Sequence, residues 1–167
     1  MRRTLLGLAL ALPLAAAACL GDDPVSPALP IEDVEFASSL GVNLAASTEL
    51  ESGLWYRDIT AGVGVLPELG DTLYVSYDGR LTDGTRFDDG ELAFILGRSN
   101  VIAGFQQGIS LMRLGGQRQL IIPPHLAYGS QVITIGTGAD RVVIRQNSWL
   151  VFDVTLDSIK VSTNTTQ

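Results

Sequence analysis

Apolar and polar residues alternate along much of the chain after Gly53. Within residues 72–78 the alternation places Leu73, Val75 and Tyr77 on one side and mostly polar residues on the other. Successive side chains of a β-strand point to opposite faces of its sheet, so this pattern predicts a strand with one buried face. Turn-forming residues interrupt the alternation at intervals, which favours an antiparallel sheet.

Several further strands are predicted by the same pattern. The dipeptide Asp83-Gly84 is typical of a type I′ hairpin turn, and it predicts a return strand that reaches Phe87. Three more strands are expected at residues 92–96, 117–122 and about 148–160. The apolar faces of the first and the last of these consist of Leu92, Phe94 and Leu96, and of Leu150, Phe152, Val154 and Leu156.

One segment departs from the period of two. In the sequence AGFQQGISLM, Phe105, Ile109 and Met112 recur at the spacing of one face of an amphipathic helix, which Gly115-Gly116 is expected to end. The Gly-rich stretch at 129–147 is predicted to be irregular. The predicted fold class is therefore α+β, a curved antiparallel β-sheet wrapped on one short α-helix.

Composition limits the chemistry that is open to the chain. Its 167 residues are 46% hydrophobic, which indicates one globular domain. Acidic residues outnumber basic ones by 18 to 11 and no basic cluster is present, which argues against a nucleic-acid partner. One Cys and one His cannot build a Cys/His zinc site or an internal disulfide, so we expect no metal and no cofactor.

Residues 1–18 have the layout of a secretory signal peptide. Two arginines precede an apolar run from Leu5 to Ala18 that is too short to span a bilayer. Cys19 follows directly. In this position it resembles the cysteine that is lipidated in bacterial lipoprotein signals. The prediction is export and attachment to the cell envelope through a lipid on Cys19. The alternative is plain secretion with a free Cys19 thiol.

Residues 19–52 are predicted to form an acidic, proline-containing tether. They carry seven acids and no base, and three prolines stiffen the start of the segment. Residues 31–46 are apolar enough for a short helix docked on the domain. Leu20 after the cysteine suits sorting to the outer membrane of a Gram-negative cell. The domain itself is assigned to residues 53–160, and residues 161–167 form a polar C-terminal tail.

Four stretches of the domain carry a family resemblance: YVSYDGRLTDGTRFDDG (74–90), FILGRSNVIAGFQQGI (94–109), PPHLAYG (123–129) and LVFDVTL (150–156). In this order they resemble the FKBP-type peptidyl-prolyl cis-trans isomerases over about residues 53–160. The resemblance implies the FKBP-like fold, isomerase activity on proline-containing unfolded or exported polypeptides, and binding of macrolide ligands.

The resemblance also implies a proline-binding cavity. In the family, the backbone N–H of the residue matching Ile102 bonds a ligand carbonyl. The chain departs from the family at Phe105, where Trp is frequent, at Leu92, where an aromatic residue is frequent, and at Arg145-Gln146, where two prolines are usual. The implied catalytic residues are Tyr77, Phe87, Asp88, Phe105, Tyr128 and Phe152, and the implied substrate-binding residues are Leu92, Phe94, Val101, Ile102, Val143 and Ile144.

These residue types suit the isomerisation of an X-Pro bond. Rotation about the amide faces a barrier of about 18–20 kcal/mol because resonance is lost. No bond breaks, so the catalyst needs neither a nucleophile nor a metal, only a site that fits the twisted amide better than the planar one. A dry aromatic cavity penalises the polarised planar amide relative to the twisted form.

Two other functions are weighed against an isomerase that assists folding of exported proteins. A hydrolase is disfavoured because His125 is the only histidine and the G-x-S-x-G motif is absent. A non-catalytic FKBP-like chaperone or peptide-binding module stays open. The departures at Leu92, Phe105 and Arg145-Gln146 favour the binding module, whereas the residues that match the family's cavity favour the enzyme.

Overall fold

The structure is a computed structural model that describes residues 27–98 and 100–162. Its helix α1 spans Ala103–Ser110. Its strands are β1 (Thr48–Glu49), β2 (Trp55–Thr60), β3 (Thr72–Leu81), β4 (Arg86–Ile95), β5 (Gln117–Ile122), β6 (Ile133–Ile135), β7 (Val142–Ile144) and β8 (Leu150–Lys160).

Six strands form one sheet in the order β1-β2-β5-β8-β3-β4, and every neighbouring pair is antiparallel. The central strand β8 pairs with both β5 and β3, and its residues Leu150, Phe152, Val154 and Leu156 are buried against the helix side of the sheet. Strands β6 and β7 form a separate hairpin. The predicted α+β class, with a curved antiparallel sheet and one short helix, is confirmed.

Helix α1 lies close against β5 because two of its positions lack a side chain. A Cβ atom on Gly104 would lie 2.4 Å from Cγ2 of Ile122, and one on Gly108 would lie 2.4 Å from Cδ2 of Leu120. The helix ends at Ser110 rather than at Gly115-Gly116, so that predicted end is wrong. The Met112 amide bonds the carbonyl of Ile109 in a tighter final turn, which still buries the Met112 side chain.

The hairpin between β3 and β4 has a different turn from the predicted type I′. That turn requires positive φ at two consecutive residues, but Gly84 has a φ of +89° and Asp83 is not in the left-handed region. The Leu81 amide bonds the Thr85 carbonyl at 2.8 Å, and the Asp83 carboxylate accepts the Thr85 amide at 2.8 Å. The strand predicted at 92–96 is the second half of the continuous strand β4.

Residues 27–49, which we call the N-terminal strap, are fixed to the domain. The helix expected within 31–46 does not form, and three short 3-10 turns take its place at Ile31–Asp33, Ser38–Leu40 and Leu44–Ala46. Gly41, with a φ of +58°, ends the middle turn and prevents a continuous helix. Four hydrogen bonds of 2.8–2.9 Å hold the strap: Gln119 to the Leu40 carbonyl, Arg57 to the Gly41 carbonyl, Trp149 to the Leu29 carbonyl, and the Ala37 amide to the Thr82 carbonyl.

The stretch predicted to be irregular, 129–147, contains the hairpin of β6 and β7. The predicted signal peptide, Cys19 and most of the C-terminal tail lie outside the described residues. Within the described ranges, no helix has the length and hydropathy needed to cross a bilayer.

Candidate active site

An aromatic cavity of about 190 Å³ opens on the helix side of the sheet. Pockets for drug-sized ligands have about 300–1,000 Å³, so this cavity suits one small ring. Residues from β3, β4, α1, β8 and the segments before α1 and after β5 enclose it: Tyr77, Phe87, Asp88, Leu92, Asn100, Val101, Ile102, Phe105, Tyr128 and Phe152.

Phe105 forms the floor of the cavity, at the point where three other rings meet. Its centroid lies 5.2 Å from that of Phe152, 5.8 Å from that of Tyr77 and 6.1 Å from that of Phe94. The Phe105–Tyr77 and Phe105–Phe152 pairs are edge-to-face, a favoured arrangement of aromatic rings. Only 3% of Phe105 is exposed, so its position is set by packing on all sides.

A glycine on β3 makes room for the cavity's side wall. Phe87 and Phe152 meet edge-to-face with centroids 5.4 Å apart, directly over Gly79. A Cβ atom at Gly79 would lie 2.8 Å from Cε1 of Phe152 and 2.9 Å from Cζ of Phe87. The two rings can therefore pack across the strand because position 79 carries no side chain.

The mouth of the cavity is polar. The Tyr77 hydroxyl donates a hydrogen bond of 2.9 Å to the Asp88 carboxylate. Burial of the phenol, followed by this hydrogen bond and the charges of Asp88 and Asp89, raises the pKa of Tyr77 to about 12. Burial, followed by the charge of Asp88, also raises the pKa of Tyr128. Both phenols are therefore neutral donors at physiological pH.

Ile102 lines the cavity and contributes a backbone N–H group. Ile102 directly precedes α1, and within the described residues its N–H makes no hydrogen bond with the protein, whereas its carbonyl accepts bonds from Phe105 and Gln106. Such N–H groups at the start of a helix are free to bind a ligand oxygen. The site thus combines an apolar ring-sized cavity with a polar edge.

Nine of the twelve residues implied by the resemblance line the cavity, and the other three do not. Phe94 is 3% exposed and lies behind Phe105, as a support for the floor. Val143 and Ile144 point to opposite sides of β7: Ile144 is 1% exposed in the core, and Val143 lines a different groove. The assignment of Phe94, Val143 and Ile144 to the cavity lining is therefore wrong.

Sequence reasoning missed two residues at the site. Asn100 lies at the rim of the cavity but has no feature beyond its polar side chain. Gly79 sits inside the motif YDGRL, and a glycine within a predicted strand is a signal for close approach of other groups. Among the described residues, no group of three or more His, Cys, Asp or Glu side chains is placed to hold a metal ion.

Comparison with known proteins identifies relatives of this chain. The profile of the FKBP-type peptidyl-prolyl cis-trans isomerase family matches residues 64–157. The chain is 41% identical to FK506-binding protein 4 of Rhizopus delemar, over 68% of this chain and 29% of the relative. It is 39% identical to the FKBP-type peptidyl-prolyl cis-trans isomerase FkpA of Escherichia coli, over 75% of this chain and 43% of the relative. The chain therefore spans less than half the length of these relatives.

Solved structures show the same fold. The crystal structure of Escherichia coli FkpA superimposes with a TM-score of 0.58 at 38% identity, covering 69% of this chain and 52% of that one. A peptidyl-prolyl cis-trans isomerase from Pseudomonas syringae superimposes with a TM-score of 0.59 at 28% identity, covering 84% of this chain and all of that one. With the family profile matching more than half of its residues, the chain belongs to the FKBP-type peptidyl-prolyl cis-trans isomerase family.

Proposed function

We propose that this chain catalyses cis-trans isomerisation of X-Pro bonds in exported polypeptides. The observation that carries the proposal is the aromatic cavity, ring-sized and floored by Phe105, with the Tyr77–Asp88 hydrogen bond and the Ile102 N–H at its mouth. Uncatalysed isomerisation takes tens to hundreds of seconds and limits the folding of many chains. Such a site would speed this slow folding step in newly exported proteins.

The cavity supplies the conditions that favour a twisted amide. A proline ring packed on Phe105 between Phe152 and Tyr77 carries its amide bond to the mouth of the cavity. Water stabilises the polarised planar amide more than the twisted one. The surrounding rings exclude water and therefore favour the twisted amide. The Ile102 N–H binds a carbonyl of the polypeptide and holds one side of the rotating bond in place. Only the other side of the bond then has to rotate.

The decisive experiment is a protease-free assay of X-Pro isomerisation with the wild type and an Asp88→Ala variant. Asp88 lies at the cavity mouth and is exposed, so its removal is expected to lower kcat/KM while the melting temperature changes little. Asp89→Ala is the matched control, because Asp89 is also an exposed acid on β4 but does not line the cavity. A wild type without activity, or equal kcat/KM values for both variants, would contradict the proposal.

A second candidate function is holding of unfolded polypeptides, and one surface favours it. The loop between β2 and β3 exposes four aliphatic side chains, by 97% for Val63, 78% for Leu69, 60% for Val65 and 47% for Leu66. Exposed apolar groups of this kind bind other apolar surfaces. If the chain suppresses aggregation of a denatured client, and Val63→Ser with Leu69→Ser removes that effect without lowering isomerase activity, holding is a separate activity of this loop.

We also propose that the chain is a lipoprotein of the cell envelope. The sequence order of a signal peptide, small residues and a single Cys19 supports this. Seven residues, 20–26, separate Cys19 from the strap and span at most about 25 Å, so an acylated Cys19 keeps the domain close to the membrane. Cys19→Ala should move the protein to the soluble fraction. A variant that stays membrane-bound after a salt wash, with its signal peptide removed, would contradict the assignment.

Macrolide binding is proposed from the relatives named FK506-binding proteins. The cavity has room for one ring of such a ligand, and the remainder would lie over Leu92 and Tyr128 at the rim. Inhibition of the isomerase by FK506, weakened in a Phe105→Ala variant that remains folded, is the expected result. An inhibitor that acts equally on both proteins would place the ligand elsewhere.

A further inference from the structure

A second and larger depression, of about 470 Å³, lies next to the aromatic cavity. It is walled by the N-terminal strap, the β3–β4 turn, β7 and the residues before β8. Its apolar surface includes Leu29, Val34, Leu81, Val143 and Trp149. We call it the arginine groove, because its rim carries Arg141 and Arg145.

The charge of the groove is opposite to that of the chain. Arg141 and Arg145 are both exposed, and neither forms an ion pair with another described residue. Asp83 is the single acid among the residues that line the groove. The residues that line the groove thus carry two positive charges and one negative charge, on a chain with a net charge of −7. Two arginines over an apolar floor suit a ligand with both carboxylate and apolar groups.

The groove and the cavity are adjacent at two points. Thr85 lines the groove, and Phe87, two residues further along the chain, lines the cavity. Asn147 also lines the groove, and its amide bonds the Gly129 carbonyl at 2.7 Å, next to Tyr128 of the cavity. Two residues of an extended chain span about 7 Å. The residues that line the two sites are therefore close neighbours, and a polypeptide with its proline in the cavity can extend from there into the groove.

We infer that the arginine groove binds the segment of the same polypeptide that flanks the proline, and that it prefers Asp or Glu in that segment. The inference rests on the proposed isomerase function and adds a substrate preference to it. Arg141 and Arg145 bind the carboxylate, and the apolar floor between Val143 and Trp149 takes a neighbouring apolar side chain. Continuity with the cavity identifies the occupant as the substrate itself.

The test compares isomerisation of peptides that differ at one position. A series with Glu, Gln or Lys at each of three positions on either side of the proline is assayed with the full chain. At low salt, kcat/KM for the best Glu peptide should exceed that of its Gln partner by about three- to tenfold, as expected for two exposed ion pairs. The difference should shrink at about 0.5 M salt, where the Debye length is only a few ångströms.

Variants assign the effect to the groove. Arg141→Gln with Arg145→Gln should bring the Glu peptide down to the Gln peptide, and Arg141→Glu with Arg145→Glu should make the Lys peptide the better substrate. The matched control is Arg113→Gln with Lys160→Gln, which removes the same charge from residues outside both the groove and the cavity. This control should keep the preference for Glu.

The outcomes are separable. If no peptide is isomerised, the proposed function itself fails. If the Gln peptide is isomerised but Glu gives no advantage, or the advantage survives both double substitutions in the groove, the inference is wrong and the function stands.

Discussion

The Tyr77 hydroxyl and the Asp88 carboxylate, on neighbouring strands, are joined by a hydrogen bond of 2.9 Å at the mouth of the aromatic cavity. In the β3–β4 register Tyr77 lies opposite Gly90, and Asp88 lies opposite Gly79. The bond therefore runs diagonally between the two strands. The pair fixes both polar groups at the rim before a substrate arrives.

Removal of this bond should reduce catalysis without unfolding the domain. Tyr77→Phe keeps the ring against Phe105 and removes only the donor to Asp88, so we expect kcat/KM to fall by roughly two- to tenfold, the range of one hydrogen bond. Tyr74→Phe is the control, because Tyr74 lies on the same strand and its ring is exposed. This variant should leave kcat/KM unchanged. If Tyr77→Phe and Asp88→Ala act through the same bond, the double variant should lose less than the product of the two single losses.

Alkaline pH should destabilise the fold through Tyr77. The pKa of its phenol is about 12 in the folded chain and about 10 in the unfolded chain. Between these values the unfolded chain binds fewer protons than the folded one, so this contribution to stability is complete below pH 10 and is lost as the pH rises toward 12. Urea midpoints at about pH 9 and 11 should therefore differ more for the wild type than for Tyr77→Phe. Equal differences would show that Tyr77 titrates normally.

The regular parts of the fold follow from local patterns in the sequence, and the rest depends on contacts that have no periodicity. Alternation identifies β3 and β8, and the spacing of Phe105 and Ile109 identifies α1. For the strap, apolar content indicates docking of residues 31–46 but not its form, because Leu40 and Gly41 are held through backbone carbonyl groups that any residue provides. The turn at Asp83-Gly84 likewise depends on the register between the strands, which the dipeptide alone does not determine.

The site shows the same division. Motif matching places nine residues at the cavity because the fold keeps their positions on β3, β4, β8 and α1 and in the segments beside α1 and after β5. It misplaces Val143 and Ile144, which lie on β7 next to the departure at Arg145-Gln146, because a side chain on a strand changes face with each residue.

Gly79 should be required for the cavity wall. Gly79→Ala places a methyl group within 3 Å of both Phe152 and Phe87, which must shift. We expect a loss of about 1–3 kcal/mol in the free energy of unfolding, typical of overpacking, together with a lower kcat/KM. The added substitution Phe87→Leu opens space and should recover part of the stability. A Gly79→Ala variant with the melting temperature and activity of the wild type would show that the rings have room to spare.

Deletion of the strap should separate stability from catalysis. Removal of residues 1–26 leaves all strap contacts intact and serves as the control. Removal of residues 1–46 leaves the buried Gln119 amide without its Leu40 carbonyl and frees Arg57 from Gly41, which should cost about 1–3 kcal/mol in the free energy of unfolding. No strap residue lines the aromatic cavity, so kcat/KM for a peptide without charged side chains should stay at the level of the control. Denaturant melts and the protease-free assay on both truncated proteins test this. If the shorter protein melts cooperatively but has lost most of its activity on that peptide, the strap belongs to the catalytic machinery.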